Sequence, residues 1–395
     1  MRLVIILLDG LRADTQAFTA PPEGHPWHRF LPRGRRFTQM FAEAPLSLPA
    51  RRALLTGRFQ FARQGWTPLK DDAVTFLDRL SDTLLVGDTP YMLGERWHLA
   101  RRFTNVEHVR GQFGDDAPPP ARIAPELEET LTKLRAAEVA QDEREKFHAY
   151  LAHWAAVRAP FSERVVDEAL ARMNDALVTW IDLFDTHEPW LPRHSDVATT
   201  PLPHPSLKIA NAELLRTAYE LQASETLAQV CRVLTALEAD VAAGACAVCV
   251  LSDHGTPLGD PQWRKLQPTV LAPIAHAAAW LWAKDVAPGE DARLASTVDW
   301  HPTFRALLGL DHAGEGHSLL AQETHAHVPT GWIHGPLALR TATRTTLYTP
   351  GPLPTLRAFD RARDPLERTP LKLATQDAAD ALSTLLQTTL RYAGD

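Results

Sequence analysis

The segment around Ser47 has the composition of a helix that begins at an anion-binding site. It reads Ser47-Leu-Pro-Ala-Arg-Arg-Ala-Leu-Leu-Thr-Gly57, with Pro49 suited to the first helical turn and Gly57 to the position after the last one. Ser47 lies at or just before the N-cap, where a hydroxyl faces the positive end of the helix dipole. Arg51, four residues on, falls on the same side and can hold the oxygens of a tetrahedral oxyanion. Taken alone, the segment is equally a capped helix with a surface arginine.

Two apolar runs end in residues that bind divalent cations. Asp9 follows the run at 3–8, and Asp253 and His254 follow the run at 248–251, with a glycine next that lets the chain turn. Carboxylate oxygens and an imidazole nitrogen form a mixed site suited to Ca²⁺, Mn²⁺ or Mg²⁺. Either segment alone is explained as well by an Asp that forms a turn at the end of a strand.

Two further residues have side chains that can act on a bound ester. His187, in Phe184-Asp-Thr-His-Glu-Pro-Trp190, can donate a proton near neutral pH. Lys265 lies a dozen residues beyond Asp253, and its ammonium group can neutralise a bound anion. A lysine exposed to solvent is the alternative interpretation.

The candidate residues follow apolar runs that alternate with helical patterns. Strands are predicted at 3–8, 84–86, 177–184 and 248–251, and helices at 124–154, 164–177 and 212–237. This alternation predicts an α/β fold with a mostly parallel central sheet and helices on both faces. Ligand sites in such folds lie beyond the carboxyl ends of the strands. One edge of the sheet is therefore expected to hold Asp9, Asp88, Asp185, His187, Asp253 and His254.

The alternation of strand and helix patterns in the sequence ends at about residue 310. Beyond it, short strands joined by a Pro/Gly turn are predicted over residues 332–348 and 353–359, and an amphipathic helix is predicted over residues 376–392. We therefore expect an α/β domain over residues 1–310 and a smaller C-terminal α+β subdomain over residues 311–395.

The composition excludes several classes of protein. The chain has 395 residues, of which 45% are hydrophobic, and a net charge of −7, so it forms a core but has no broad basic surface for nucleic acid. The first apolar run ends after six residues at Asp9, and no stretch reaches the roughly 20 apolar residues of a membrane span. Cys246 and Cys249 form a C-x-x-C, but positions i and i+3 of a strand face opposite ways, which favours core packing over a redox or zinc site. We expect a cytoplasmic protein that binds neither nucleic acid nor membrane.

Together these segments resemble the sequence blocks of sulfatases. The opening Ile5-Ile-Leu-Leu-Asp-Gly-Leu-Arg-Ala-Asp14 is similar to their first strand and metal-binding Asp, and Ser47-Leu-Pro-Ala-Arg51 with Leu54-Leu-Thr-Gly57 to their (Cys/Ser)-x-Pro-x-Arg…Thr-Gly signature. Further blocks follow in the family's order: Asp185-Thr-His-Glu-Pro-Trp190, Asp253-His-Gly255, Val298-Asp-Trp-His-Pro-Thr303, Gly316-His-Ser-Leu319 and Arg363-Asp-Pro-Leu-Glu367. On these motifs the chain is identified as a member of the sulfatase branch of the alkaline phosphatase superfamily.

The resemblance implies an alkaline phosphatase-like fold and a metal-dependent hydrolase of sulfate esters. Asp9, Asp253 and His254 would bind one divalent cation, with Ser47 as the nucleophile and a further ligand. Arg51 would orient and stabilise that nucleophile. The first motif has Gly10 where many sulfatases have a second acid.

The resemblance also implies roles for residues that contact the substrate. His187 and Lys265 would contact the ester or leaving-group oxygen of a small-molecule sulfate or phosphate ester, and Thr89 is a further candidate. The pair of Asp253 and His254, in place of the Asp-Asn of many sulfatases, is similar to the branch that includes phosphonate monoester hydrolases. A homo-oligomer is left open.

The state of Ser47 separates two activities. Sulfatases convert the corresponding Cys or Ser to formylglycine, so Ser47 is a candidate for that modification. An unmodified serine favours hydrolysis of phosphomonoesters, phosphodiesters or phosphonate esters, because water releases a phosphoserine more readily than a serine sulfate. A catalytically inactive relative that acts as a binding protein is the remaining alternative.

Overall fold

The structure is a computed structural model, and it describes residues 1–109, 161–187, 190, 212–258, 268–373 and 375–393. In these residues the strands are β1 (Arg2–Leu8), β2 (Arg35–Phe37), β3 (Met40–Phe41), β4 (Thr83–Gly87), β5 (Asn105–His108), β6 (Val178–Leu183), β7 (Cys246–Leu251), β8 (Ala279–Trp282), β9 (Gly289–Asp291), β10 (Ala295–Ser296), β11 (Val328–Gly331), β12 (Leu337–Arg340), β13 (Arg344–Thr349) and β14 (Thr355–Asp360). The α-helices are α1 (Gln16–Thr19), α2 (Trp27–Phe30), α3 (Ser47–Thr56), α4 (Pro90–Leu93), α5 (Phe161–Arg172), α6 (Ala212–Ala243), α7 (Ala272–Ala275), α8 (Trp300–Leu307) and α9 (Thr375–Ala393).

An eight-stranded sheet forms the centre of the molecule. Its strand order is β5-β4-β6-β1-β7-β8-β2-β9. The first five strands in this order are β5, β4, β6, β1 and β7, and they are all parallel to one another. Strand β8 is antiparallel to both of its neighbours, β7 and β2. The predicted α/β fold with a mostly parallel central sheet is confirmed.

Helices cover both faces of this sheet. The alternating side chains of β1 divide between two hydrophobic clusters, with Ile6 in one and Ile5 in the other. The cluster of Ile6 contains residues of α5 and α6, and the cluster of Ile5 contains residues of α3 and α8. Cys246 packs in the first cluster and Cys249 in the second, so the two thiols lie on opposite faces and the prediction of core packing is confirmed.

Four adjacent parallel strands end at the same edge of the sheet. In the order β4-β6-β1-β7, the residues that follow the strand ends include Asp88, Asp185, Asp9 and Asp253. All four are buried. The predicted meeting of acidic residues at one edge is confirmed, and it follows from the parallel pairing because parallel strands bring their carboxyl ends together.

Two of the predicted helices have different bounds in the structure. The helix expected over 164–177 ends at Arg172 and is followed by a 3₁₀ turn over Met173–Asp175. The predicted end was wrong because Met173 and Ala176 are buried in the same cluster as α5, so the apolar spacing continues beyond the helix. The helix expected over 212–237 continues to Ala243. The helix expected over 124–154 lies outside the described residues.

A smaller sheet follows near the end of the chain. It is antiparallel with the order β11-β12-β13-β14, and α9 contacts its two middle strands. The C-terminal α+β unit is thus confirmed, but the stretch 332–348 holds two strands, β12 and β13, and β11 lies before it. The domain boundary at residue 310 stays a prediction. None of the described helices has the length and apolar character needed to cross a membrane.

Glu43 is a buried carboxyl group that connects separate segments. Its Oε2 accepts hydrogen bonds from the backbone N–H groups of Gln60 (2.8 Å) and Phe61 (3.0 Å), and its backbone oxygen accepts one from Gly331 (2.8 Å). Burial raises the pKa of Glu43 to about 8, although the two backbone donors and Arg52 oppose the shift. Glu43 is therefore protonated in the folded protein at neutral pH.

This raised pKa predicts that stability falls as the pH rises from about 4.5 to about 8. The pKa of a glutamate in the unfolded chain is near 4.5, against about 8 in the folded protein. The proton on Glu43 therefore favours folding, and the free energy of unfolding falls by roughly 1 kcal/mol per pH unit across this interval. We expect Glu43→Gln to remove that part of the pH dependence in urea denaturation at pH 5 and pH 8.

The exposed Glu95 provides a matched control. Glu95→Gln should show the same fall in stability as the unchanged protein. An equal fall in Glu43→Gln would mean that Glu43 does not carry the effect.

Candidate active site

Helix α3 presents Ser47 at its first turn. Leu46, with an extended backbone (φ −144°, ψ 136°), is the N-cap, so Ser47 is the first helical residue rather than the cap. The expected N-cap position was wrong by one residue because it is set by backbone angles, which the preference for a Ser cap does not fix. Gly57 ends the helix with a left-handed φ of 69°, as predicted.

Three donor side chains meet beside this helix. The side chains of Asp9, Asp253 and His254 are completely buried, and one ligand atom from each lies within 4.8 Å of the others. The backbone N–H groups of Gly10 and His254 donate to Oδ1 of Asp253 at 3.0 and 2.8 Å. Gly10 thus contributes an N–H group at the position where many sulfatases have a second acid. Oδ2 of Asp253 lies 3.4 Å from Nε2 of His254.

The hydrogen bonds of His254 define which nitrogen faces the cluster. Nδ1 lies 2.6 Å from the backbone oxygen of Gly255. Since a carbonyl only accepts, Nδ1 carries a proton, and in the neutral ring Nε2 presents a lone pair. Nε2 lies 3.3 Å from Oγ of Ser47 and 4.0 Å from Oδ1 of Asp9. Nε2 is therefore the nitrogen that faces the serine hydroxyl and the carboxylates, where a metal ligand would have to lie.

Arg51 connects Ser47 to the acidic residues. Its Nη1 lies 3.0 Å from Asp9 and 2.7 Å from Asp253, and it donates to the backbone oxygen of Ser47 at 3.1 Å. Nε and Nη2 donate to the two carboxylate oxygens of Asp182 at 3.0 and 2.7 Å. Burial by itself lowers the pKa of Arg51, but the three carboxylates outweigh it and hold the pKa well above its ordinary value. All three nitrogens face these acceptors, so the geometry suits an orienting role better than an oxyanion clamp.

Acidic side chains surround Arg51. Asp9, Asp182 and Asp253 all lie against its guanidinium, and all four side chains have zero exposure. Asp9, Asp253 and His254 together offer two carboxylates and an imidazole nitrogen, which is a donor set that a divalent cation accepts. The residues present therefore fit such an ion.

Asp182 was missed by the sequence analysis. It lies within β6, in the otherwise apolar segment Val178–Leu183. Besides Arg51, it accepts hydrogen bonds from Trp180 Nε1 (3.0 Å) and from the Thr89 hydroxyl. The signal that could have found it is a single acid inside a buried strand, since such an acid needs a cationic partner. A substrate contact by Thr89 stays a prediction.

His187 lies on the loop that follows β6. Its ring stacks on that of Phe184 with 4.3 Å between centroids. The neighbouring Thr186 donates its hydroxyl to the backbone oxygen of Asp9 at 2.7 Å, so this loop borders the metal-binding candidates. The role of His187 stays a prediction. Lys265 lies outside the described residues.

Asp88 and Asp185 support the same edge of the sheet. Oδ1 of Asp88 accepts the N–H of Phe184 at 3.0 Å, and Oδ2 of Asp185 accepts the N–H of Ser162 at 2.9 Å. Burial, followed by the nearby charge of Asp185, raises the pKa of Asp88 well above its ordinary value. Asp88 connects the end of β4 to the end of β6 through its bond to Phe184.

The ion pair between Arg51 and Asp182 predicts a large effect on stability. Asp182→Asn replaces two charge-assisted bonds with a neutral amide and leaves Arg51 without its bidentate partner. We expect the free energy of unfolding to fall by about 3 kcal/mol or more in urea denaturation. The exposed pair of Arg232 and Asp167 is the control, since Asp167→Asn should cost less than about 1 kcal/mol. Equal effects of the two substitutions would contradict the proposed importance of the buried pair.

The donor cluster predicts stabilisation by divalent cations. A cation at about 100 times its dissociation constant should raise the free energy of unfolding by about 3 kcal/mol, because it binds only the folded chain. Mn²⁺, Ca²⁺ and Mg²⁺ can be compared by thermal denaturation. Asp253→Asn should abolish the shift, and substitution of the exposed Asp72 by Asn should keep it. No shift in the unchanged protein, or an equal shift in Asp253→Asn, would contradict a metal at this site.

Comparison with known proteins gives a clear result only for the three-dimensional fold. No family model matches the sequence, and no curated protein matches it significantly. Many solved structures do match. A 2-O GAG sulfatase is 16% identical, with a TM-score of 0.69 over 100% of this chain and 93% of that one.

Two other similar structures come from named organisms. The phosphonate monoester hydrolase of Silicibacter pomeroyi is 18% identical, with a TM-score of 0.68 over 99% of this chain and 94% of that one. A protein of the alkaline phosphatase superfamily from Vibrio parahaemolyticus is 15% identical, with a TM-score of 0.59 over 100% of this chain and 88% of that one. The chain thus has the fold shared by sulfatases, phosphonate monoester hydrolases and the alkaline phosphatase superfamily, as the sequence motifs predicted.

Proposed function

We propose that this protein is a metal-dependent hydrolase of sulfate esters whose nucleophile derives from Ser47. The observation that carries the proposal is the position of the Ser47 hydroxyl, 3.3 Å from Nε2 of His254, a residue that clusters with the buried carboxylates of Asp9 and Asp253. A hydroxyl at the first turn of a helix and next to a cation site is suited to attack on a tetrahedral anion. The sulfatase fold supports the same reaction class.

Asp9, Asp253 and His254 would hold one divalent cation, with the Ser47 side chain as a further ligand. Such a cation, when bound, withdraws charge from the ester oxygens and favours the ionised form of a nucleophile. Ca²⁺, Mn²⁺ and Mg²⁺ all accept carboxylate ligands, and the single imidazole does not distinguish them.

The remaining residues would position the reactants and move a proton. Arg51 holds the Ser47 backbone and two of the metal-binding carboxylates in one arrangement, so the nucleophilic oxygen is oriented before the substrate arrives. That oxygen attacks sulfur, and the bond from sulfur to the leaving oxygen breaks. His187 would protonate the leaving oxygen, and Lys265 would balance the charge of the transferred group.

Modification of Ser47 would determine how the covalent intermediate is released. In hydrated formylglycine, one hydroxyl attacks the ester and the other loses its proton, which re-forms the aldehyde and expels the anion. An unmodified serine lacks this second hydroxyl, so water must attack the bound sulfur or phosphorus instead. The second route is more favourable for a phosphoserine than for a serine sulfate.

A phosphomonoester, phosphodiester or phosphonate ester hydrolase is the second candidate function. The similar structure of a phosphonate monoester hydrolase favours it, as does the pair of Asp253 and His254. Peptide mass spectrometry of the segment with Ser47 separates the two functions, since formylglycine is lighter than serine by two hydrogen atoms. An unmodified Ser47 with turnover of phosphonate esters would establish the second function.

The proposed substrate is a small-molecule ester, and the proposed location is the cytoplasm. The three cysteines are free thiols in buried positions, which supports a reducing compartment.

Ser47→Ala tests the nucleophile directly. We expect turnover of aryl sulfate and aryl phosphate esters to fall about 10⁴-fold or more, because the attacking oxygen is removed. The folded structure and the shift in stability caused by cations should remain. The exposed Ser81 is the control, and Ser81→Ala should keep full activity. Undiminished turnover in Ser47→Ala would contradict the assignment of Ser47 as the nucleophile. If the unchanged protein hydrolyses no ester at all, a binding function is favoured instead.

A further inference from the structure

A tyrosine hydroxyl on α6 holds the turn that follows the first metal-binding candidate. We propose that Tyr219 is a positioning residue, which fixes the turn after Asp9 so that Asp9 and Asp253 present their carboxylates to one cation. This inference rests on the proposed function, because it concerns the cation that the function requires. It extends the site to a helix that carries none of the proposed metal ligands.

The hydroxyl of Tyr219 is bonded to three residues of one turn. Tyr219 is completely buried, and its oxygen accepts a hydrogen bond from the backbone N–H of Arg12 at 2.8 Å and donates one to the backbone oxygen of Gly10 at 3.3 Å. Oγ1 of Thr15 lies 3.1 Å away. Since the phenol proton goes to Gly10, the threonine hydroxyl is the donor in this third bond. Burial raises the pKa of Tyr219, so the phenol keeps the proton that it donates.

Gly10 connects this turn to the second carboxylate. Its backbone N–H donates to Oδ1 of Asp253 at 3.0 Å, and its backbone has a left-handed φ of 73°. A glycine adopts that angle easily but is also free to leave it, because it has no Cβ atom. The hydrogen bond from Tyr219 to the Gly10 oxygen supplies a restraint that the glycine itself lacks. It thus keeps the N–H directed at Asp253, whose Oδ2 lies 3.4 Å from Nε2 of His254.

Arg12 provides a second connection to the loop that carries Asp253. Its Nη1 donates to the backbone oxygen of Thr256 at 3.3 Å. Its aliphatic part also lies against Gly255, where an added Cβ would be 3.2 Å from Cγ of Arg12. Because Tyr219 binds the backbone N–H of Arg12, it restrains the point from which this side chain extends. One hydroxyl therefore acts on both loops that supply metal-binding candidates.

Neighbouring contacts fix the position of Tyr219. Its ring packs edge-on against Trp190 with 5.4 Å between centroids, and Nε1 of Trp190 donates to the backbone oxygen of Thr186 at 2.9 Å. The carboxylate of Glu220, the next residue of α6, accepts backbone N–H groups at the start of α1 at 3.1 and 3.2 Å. These contacts do not involve the phenol oxygen. Removal of that oxygen alone should therefore leave the helix in place.

Tyr219→Phe removes the hydroxyl and keeps the ring. We expect the dissociation constant of Mn²⁺, measured by isothermal titration calorimetry, to rise about tenfold, because residues that orient metal ligands have effects of this size on affinity. Thr226→Val is the control, since it deletes another buried hydroxyl of α6, one that donates to the backbone oxygen of Gln222 in the same helix. A merely structural role of Tyr219 predicts the same dissociation constant in both variants when urea denaturation shows that they lose similar stability.

Hydrogen exchange of the cation-free protein gives a second readout. In Tyr219→Phe, the backbone N–H of Gly10 should exchange about tenfold faster relative to that of Ile6 in β1, because the turn opens more often. Thr226→Val should leave this ratio unchanged. Thr15→Val removes one partner of the phenol and should raise the dissociation constant of Mn²⁺ by a smaller factor than Tyr219→Phe.

The outcomes separate this inference from the proposed function. An unchanged dissociation constant in Tyr219→Phe, or a rise no greater than that in Thr226→Val, would overturn the inference and leave the metal-dependent function intact. If Tyr219→Phe does not fold, Thr15→Val takes its place, and an unchanged constant there overturns the inference. Absence of Mn²⁺ binding by the unchanged protein would count against the proposed function. The exchange ratio then decides whether Tyr219 directs the Gly10 N–H at Asp253, and an unchanged ratio overturns that.

Discussion

The site depends on one buried ionic interaction, the contact of Arg51 with three carboxylates. Asp182 binds two nitrogens of the guanidinium, and Asp9 and Asp253 share the third. A guanidinium satisfies this arrangement because its donors lie in one plane and stay charged. Two of these carboxylates, those of Asp9 and Asp253, also lie beside the imidazole of His254, and this mixed set of oxygen and nitrogen donors fits a divalent cation.

The parallel sheet explains why these charges meet. Strands β6, β1 and β7 are neighbours, so an acid near the carboxyl end of each arrives at one edge. Helix α3 supplies Arg51 and Ser47 one helical turn apart, and the bond from Arg51 to the Ser47 backbone oxygen joins them. Fixing the guanidinium therefore also fixes the proposed nucleophile. The same feature that stabilises the core orients the hydroxyl.

The sequence predicted the strand ends and the donor cluster, but not the centre of the charge network. Asp9 and Asp253 were predictable because each closes an apolar run. Asp182 lies inside such a run, and its partner comes from a helix more than 100 residues earlier, so local pattern could not reveal the pair. The direction of Arg51 depends on tertiary contacts for the same reason. The N-cap at Leu46 depends on backbone angles, which residue preference alone does not determine.

Helix α3 also connects the buried charge network to a surface loop. Adjacent residues of a helix point about 100° apart, so Arg51 reaches the buried carboxylates while Arg52 reaches the loop with Trp66. The first contact is buried in the core, whereas the second holds a surface loop. Surface loops change more readily than a buried charge network. A change in the loop around Trp66 would therefore leave the buried contacts of Arg51 undisturbed.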